Sequence, residues 1–100
     1  MREIKLTNRD FPVLVSDEDY EFLNRFSWFA KKSRWGWYAC TSVKVHGKVL
    51  TLRIHRLVMR CFSDDTVDHL DGNHWNNQQE NLEIVNMLEN VERYYNEVPF

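Results

Sequence analysis

The chain has no apolar run long enough to cross a membrane. Its first residues, MREIKLTNRD, lack the apolar core of a secretory signal. Cysteine is scarce: Cys40 and Cys61 stand apart with no CxxC pair. That excludes a structural zinc of the four-cysteine kind, and two reduced thiols fit a cytoplasmic protein. Basic residues are missing from a long stretch, with no Lys or Arg between Arg60 and Arg93. Any anion bound there must find its positive charge elsewhere.

One hundred residues make a single domain with a modest core. An apolar content of 43%, with 14% aromatic, is that of a folded chain. The net charge of −2 conceals a division. Residues 1–63 hold twelve Lys and Arg against six acids, whereas residues 64–100 hold one against nine. A basic first part suits a phosphate backbone, and an acidic second part suits a site that concentrates a cation. Ordinary solvated charge would give the same totals.

Strands are expected at Glu3 to Thr7 and at Pro12 to Val15, joined by a polar turn at Asn8-Arg9-Asp10. Ser16 offers a helix N-cap, with Asp17, Glu18 and Asp19 in the first turn and Tyr20, Phe22, Leu23 and Phe26 as the apolar stripe. Ser27 to Ala30 reads as a strand, followed by a basic turn, Lys31-Lys32-Ser33-Arg34. The clearest β signal is Trp37 to Ile54, a hairpin turning at His46-Gly47. That register sets Val45 opposite Lys48, Val43 opposite Leu50, Thr41 opposite Leu52 and Ala39 opposite Ile54, giving an inward face. The other face carries Tyr38, Cys40, Ser42, Lys44 and Arg53 and is expected to stay polar. With Lys31, Lys32 and Arg34 it forms the candidate DNA-contacting surface.

His55 to Phe62 reads as a helix with Leu57, Val58, Cys61 and Phe62 on one face. Arg56 at its start is a further DNA-binding candidate, or a support for the site, and His55 reads equally as a packed core residue. Trp28, Trp35 and Trp37 are candidates for base stacking, although core packing is the usual role of Trp.

The stretch from Val67 to Asn90, VDHLDGNHWNNQQENLEIVNMLEN, holds the chemistry. Asp68 and His69 are adjacent, Asn81 follows His69 by twelve residues, and Asn90 follows Asn81 by nine. Asp and Asn oxygens suit a hard divalent cation, and an unliganded His takes a proton near neutral pH. Asp64, Asp65 and Asp71 read as turn formers, and His74 as an exposed residue at a loop tip. Met87, Val91, Tyr94 and Val98 repeat at helical spacing, with Asn90 at the edge of that stripe.

This stretch resembles the motif of the HNH endonuclease family in its phage-type form, roughly DHxxG…NxxxNL…EN. The resemblance implies an α+β fold: a β-rich, hairpin-containing part over 1–63, then a ββα-metal motif over 64–100. It implies that Asp68 and Asn90 hold one divalent metal ion, Mg²⁺ or alternatively Mn²⁺. It further implies that His69 activates water and that Asn81 pins the loop and orients His69. Residues 1–60 are similar to the leader of many such nucleases, in DEDYE, a Trp-rich strand, WYA, a hairpin and HRLVM. Many relatives carry a further C-terminal DNA-binding domain, and the end at Phe100 leads to the expectation that this chain lacks it and cuts with low sequence specificity. Where relatives carry DNR, this chain reads Asn77-Gln78-Gln79, which removes a positive charge. The resulting expectation is a metal-dependent DNA nickase in the cytoplasm of a phage-infected or prophage-carrying bacterium. The alternatives are a weak or inactive module binding DNA, a phage protein partner or a second copy of itself, and a metal-stabilised structural protein.

Overall fold

In a computed structural model, which describes residues 1–86, the longest strand, over Gly36–Val45, forms where β-branched and aromatic residues are dense. Strand β1 (Arg2–Lys5) pairs antiparallel with β2 (Pro12–Val15), and helix α1 (Asp17–Leu23) follows. Three antiparallel strands come next, β3 (Phe29–Ser33), β4 (Gly36–Val45) and β5 (Lys48–Arg53), leading into the short helix α2 (Ile54–Val58). The acidic stretch supplies β6 (Thr66–His69), the two-residue β7 (Asn76–Asn77), a 3-10 turn (Gln79–Asn81) and β8 (Leu82–Val85). Strands β6 and β8 pair antiparallel, with His69 opposite Leu82. This is a mixed α+β chain. The expected final helix, with Asn90, lies outside the described residues.

One core joins the two parts of the sequence. Val13, Val15, Leu23, Trp28, Ile54 and Leu57 from the first part pack with Val67 and Leu82 from the second. Trp28 is fully buried, and its indole N–H donates to the carbonyl of Leu23 at 2.8 Å. It is a core residue and has no surface on which a base could stack.

The leader also grips the acidic stretch through its backbone. Strand β7 lies parallel to β2, with Leu14 beside Asn76 and Val15 beside Asn77. The N–H of Leu14 donates to the carbonyl of Trp75 at 2.8 Å. Ser16 stands at the N-cap position of α1 but makes no side-chain cap bond. Its hydroxyl instead accepts the N–H of Gln79 at 2.8 Å, while the Gln79 amide donates to both Asp19 carboxylate oxygens.

Three local expectations are corrected. Lys31, Lys32 and Ser33 are not a turn but the end of β3, and the chain reverses at Arg34-Trp35. Helix α2 ends early, because Arg60 takes a left-handed conformation (φ 52°), which leaves Phe62 beyond the helix and 63% exposed. The hairpin turns at His46-Gly47 in the expected register as far as Arg53, both turn residues at positive φ as the tight turn demands, whereas Ile54, expected opposite Ala39, opens α2. It nevertheless outruns the core. Ala39 and Thr41 are buried, whereas Val45 and Leu50 on the same face are exposed. Tyr38 and Cys40 on the face expected to be polar are buried.

Candidate active site

The end of β6 brings Asp68 and His69 to a cleft of about 550 Å³, whose walls include Tyr38, Arg53, His55 and His74. Each wall has a sequence reason. Alternation along β4 turns Tyr38 to the face that also carries Arg53 of β5, through the pairs Lys31–Tyr38 and Cys40–Arg53. Helix α2 starts directly after Arg53, which buries His55 beside them.

Four rings meet there in a closed circuit. Tyr38 stacks on His74 at 4.3 Å and on His55 at 5.2 Å between centroids; His69 lies 5.0 Å from His55 and 5.1 Å from His74. The Arg53 guanidinium caps the Tyr38 ring at 4.7 Å, a cation–π contact. The expectation of an exposed His74 is therefore corrected: its imidazole is half-buried against Tyr38. Its Nδ1 is bonded to the carbonyl of Trp37 at 3.0 Å. A carbonyl only accepts, so Nδ1 is the donor.

The partner of His69 is Asn77, a residue not singled out for this in the sequence. Nε2 of His69 lies 2.8 Å from Oδ1 of Asn77, which is fully buried. The Asn77 amide is oriented by its own Nδ2, which donates to the carbonyl of His74 at 3.2 Å. Its oxygen therefore faces His69, and in the neutral imidazole Nε2 is the donor. Nδ1 is left with the free lone pair. Burial holds the His69 pKa below that of an ordinary histidine, against the opposing pull of the Asn77 bond, so the ring is neutral at neutral pH.

Asn81 acts on the loop and makes no bond to the His69 ring. Its Oδ1 accepts the N–H of Asp71 at 3.1 Å; its Nδ2 donates to Asp71 Oδ1 at 2.8 Å and to the carbonyl of Asn76 at 2.9 Å. Its carbonyl accepts the N–H of Leu70, directly after His69. Asp71 is consumed by this network. The N–H of Asn73 and the amides of Asn76 and Asn81 hold its carboxyl below the usual range.

Asp68 is different. It is half-buried in the cleft wall, and among the described residues its carboxylate has no hydrogen bond or ion pair. A hard oxygen donor in that state, beside an imidazole, fits a divalent cation. No group of three or more His, Cys, Asp or Glu is arranged around one point among the described residues. The second ligand expected from the sequence, Asn90, lies outside them.

His55 is 4% exposed, its Nδ1 has no hydrogen-bond partner among the described residues, and burial pushes its pKa down to about 3. It is a ring that stays neutral at neutral pH, packed behind the site.

The basic candidates divide. Lys31 and Arg53 share the face that opens on the cleft and line a second groove with Ser33, Cys40 and Thr51. Alternation puts Lys44 on that face and Lys32, paired with Trp37, on the opposite one. Arg34 occupies the turn. Arg56 lines the cleft, but its guanidinium donates to the carbonyls of Ser63 and Asp65, so it clamps the loop before β6. Arg53 makes no ion pair among the described residues. It is the cleft cation that is open to an anion.

The mixed architecture of strands with few helices is compatible with an HNH-like fold. The structure is similar to that of the HNH homing endonuclease I-HmuI, solved in work on its DNA binding and cleavage. The TM-score is 0.51 at 30% identity, over 73% of this chain and 45% of that one. The chain thus spans less than half the length of that enzyme. No family model matches the sequence, and no curated protein does. No helix among the described residues is long and apolar enough to cross a membrane.

Proposed function

We propose that this chain is a metal-dependent endonuclease that nicks DNA with little sequence preference. The observation that carries the reading is the His69–Asn77 bond. It orients the imidazole as an Nε2–H tautomer, in the same cleft as the Asp68 carboxylate, and neither Nδ1 nor that carboxylate has a hydrogen-bond partner among the described residues. That pair is what hydrolysis of a phosphodiester needs: a base for water and an oxygen donor for a cation.

In this reading Nδ1 of His69 takes the proton from the attacking water, and Asn77 holds the ring in place as the charge on it grows. Asp68, with Asn90 as the sequence resemblance implies, would hold a divalent metal ion, Mg²⁺ or Mn²⁺, which would supply positive charge to the phosphate. Arg53 meets the phosphate on the other wall. It supplies a charge that the Arg60–Arg93 stretch of sequence lacks. Asn81 keeps the Leu70–Asn76 loop closed so that Asp68 and His69 stay at the strand end. Lys31 and Lys44, on the same face as Arg53, follow the phosphate backbone away from the cleft.

The test is supercoiled plasmid incubated with the protein in Mg²⁺, in Mn²⁺ and in EDTA. Conversion to open circle in either metal, with none in EDTA, is expected. If plasmid is bound but intact in both metals, the chain is the non-catalytic DNA-binding module instead.

A further inference from the structure

The sheet β3–β5 ends, beside the cleft, in a two-residue turn that exposes Trp35 to solvent at 72%, the highest value among the large apolar side chains of the described residues. The turn is held firmly. Ser33 Oγ accepts the N–H of Trp35 at 3.4 Å and donates to the carbonyl of Gly36 at 3.3 Å. Gly36 has a φ of +127°, and a Cβ there would come within 3.3 Å of the His74 ring. The next residue, Trp37, receives the bond from His74 Nδ1. The turn is thus fastened to the same loop that holds His69, and Trp35 itself lines the cleft with Asp68 and His69. The fold gains little from this indole, since the other three are more buried: Trp28 in the core, Trp75 against Phe11, and Trp37 at 41%.

The charge around it selects the partner. From Phe22 to Ser63 the chain has nine Lys and Arg and no Asp or Glu. Six of those cations, Lys31, Lys32, Arg34, Lys44, Lys48 and Arg53, lie on the sheet and its turns. The Arg34 guanidinium sits 5.2 Å from the Trp35 ring itself. A wholly cationic sheet ending in an exposed indole matches a polyanion that also offers flat rings. We infer that Trp35 is a stacking platform for a nucleobase of the DNA held in the cleft, an inference that rests on the function proposed above. Lys31 and Arg53 hold phosphates, which fix no base. Trp35 takes one base out of its stack and so sets which phosphate comes to His69. Bases at easily unstacked pyrimidine–purine steps are favoured.

Stacking differs from phosphate contact in two measurable ways. It does not depend on salt, and it requires a base. Binding of end-labelled single-stranded oligonucleotide should be measured by anisotropy for the full chain and for Trp35→Ala and Trp35→Phe, over a range of salt. A second oligonucleotide of the same length carries abasic sites. Trp35→Ala should weaken binding to normal DNA about tenfold or more, with an unchanged salt slope, and should cost nothing on abasic DNA. Trp35→Phe should stay within about threefold of the parent. Equal loss on both oligonucleotides, or no loss on either, overturns the inference and returns the indole to a protein partner. If the parent binds and nicks plasmid while Trp35→Ala does both equally well, the stacking role alone falls. If the parent neither binds nor nicks, the nuclease reading falls with it.

Discussion

His69 Nε2 and Asn77 Oδ1 lie 2.8 Å apart, and they are joined from two sides of the chain. His69 ends β6, whereas Asn77 is held by β7 against β2 of the leader. The base of the proposed reaction is therefore aimed by a residue whose own position depends on strands sixty residues earlier. In the proposed reaction the leader would thereby help to aim the base, as well as offering a candidate DNA surface.

Removal of Asn77 tests that dependence. Asn77→Ala frees the Nε2–H and lets the other tautomer form, so plasmid nicking should fall by about 10- to 100-fold. Metal affinity, measured by calorimetric titration, should persist, because Asp68 is untouched. The buried amide also bonds the His74 carbonyl, so a stability loss of about 1–3 kcal/mol is expected in urea unfolding. Unaltered nicking by a folded Asn77→Ala would remove Asn77 from the mechanism.

The roles of the adjacent pair separate in the same assays. His69→Ala should keep metal and DNA affinity and lose about 10²–10⁴-fold in cleavage, the usual contribution of a positioned base. Asp68→Ala should lose metal affinity and cleavage together. Loss of metal binding by His69→Ala to the same degree would make the imidazole a ligand and not the base.

The cationic face is open to a salt titration. Lys44→Ala with Arg53→Ala should weaken DNA binding at low salt and flatten the dependence of log K on log salt by close to two phosphate contacts. Lys32→Ala, on the opposite face of the sheet, should change neither. A slope that responds to Lys32 and not to Arg53 would move the DNA to the other side of the sheet.

His55 gives a prediction for stability against pH. Its pKa is about 3 in the fold and near 6.5 in the unfolded chain. The unfolded state therefore binds the extra proton first as pH falls, and stability is fully present above about 6.5. Below that it should decline by about 1.4 kcal/mol per pH unit until the folded pKa is reached. His69, His74, Arg53 and Arg56 all oppose a charge on this ring, and Tyr38 offers it no counter-charge. Thermal melts between pH 7.5 and 5 should show the decline, and His55→Phe should flatten it. A His55→Phe variant with the same pH slope as the parent would place the acid-sensitive group elsewhere.

Much was legible in the sequence because it depends on neighbours along the chain. Strand β2, the hairpin register at His46-Gly47 and the adjacency of Asp68 and His69 follow from alternation, turn chemistry and spacing, which are local. The N-cap position of Ser16 was legible too, but the use of its hydroxyl was not, since the N–H of Gln79 reaches it from sixty-three residues away. The same reason hid the rest of the site. Nothing in GNHWNN says that His74 will stack on Tyr38, or that Asn77 and not Asn81 will meet the His69 ring. Those contacts arise when β7 docks beside β2 and the four rings close on one another. The sequence by itself determined the residue types that meet at the cleft and the adjacency of Asp68 and His69. Only the tertiary structure decided which tautomer His69 holds, which cation faces the cleft and which indole stays in solvent, because each is settled by the packing of side chains distant along the chain.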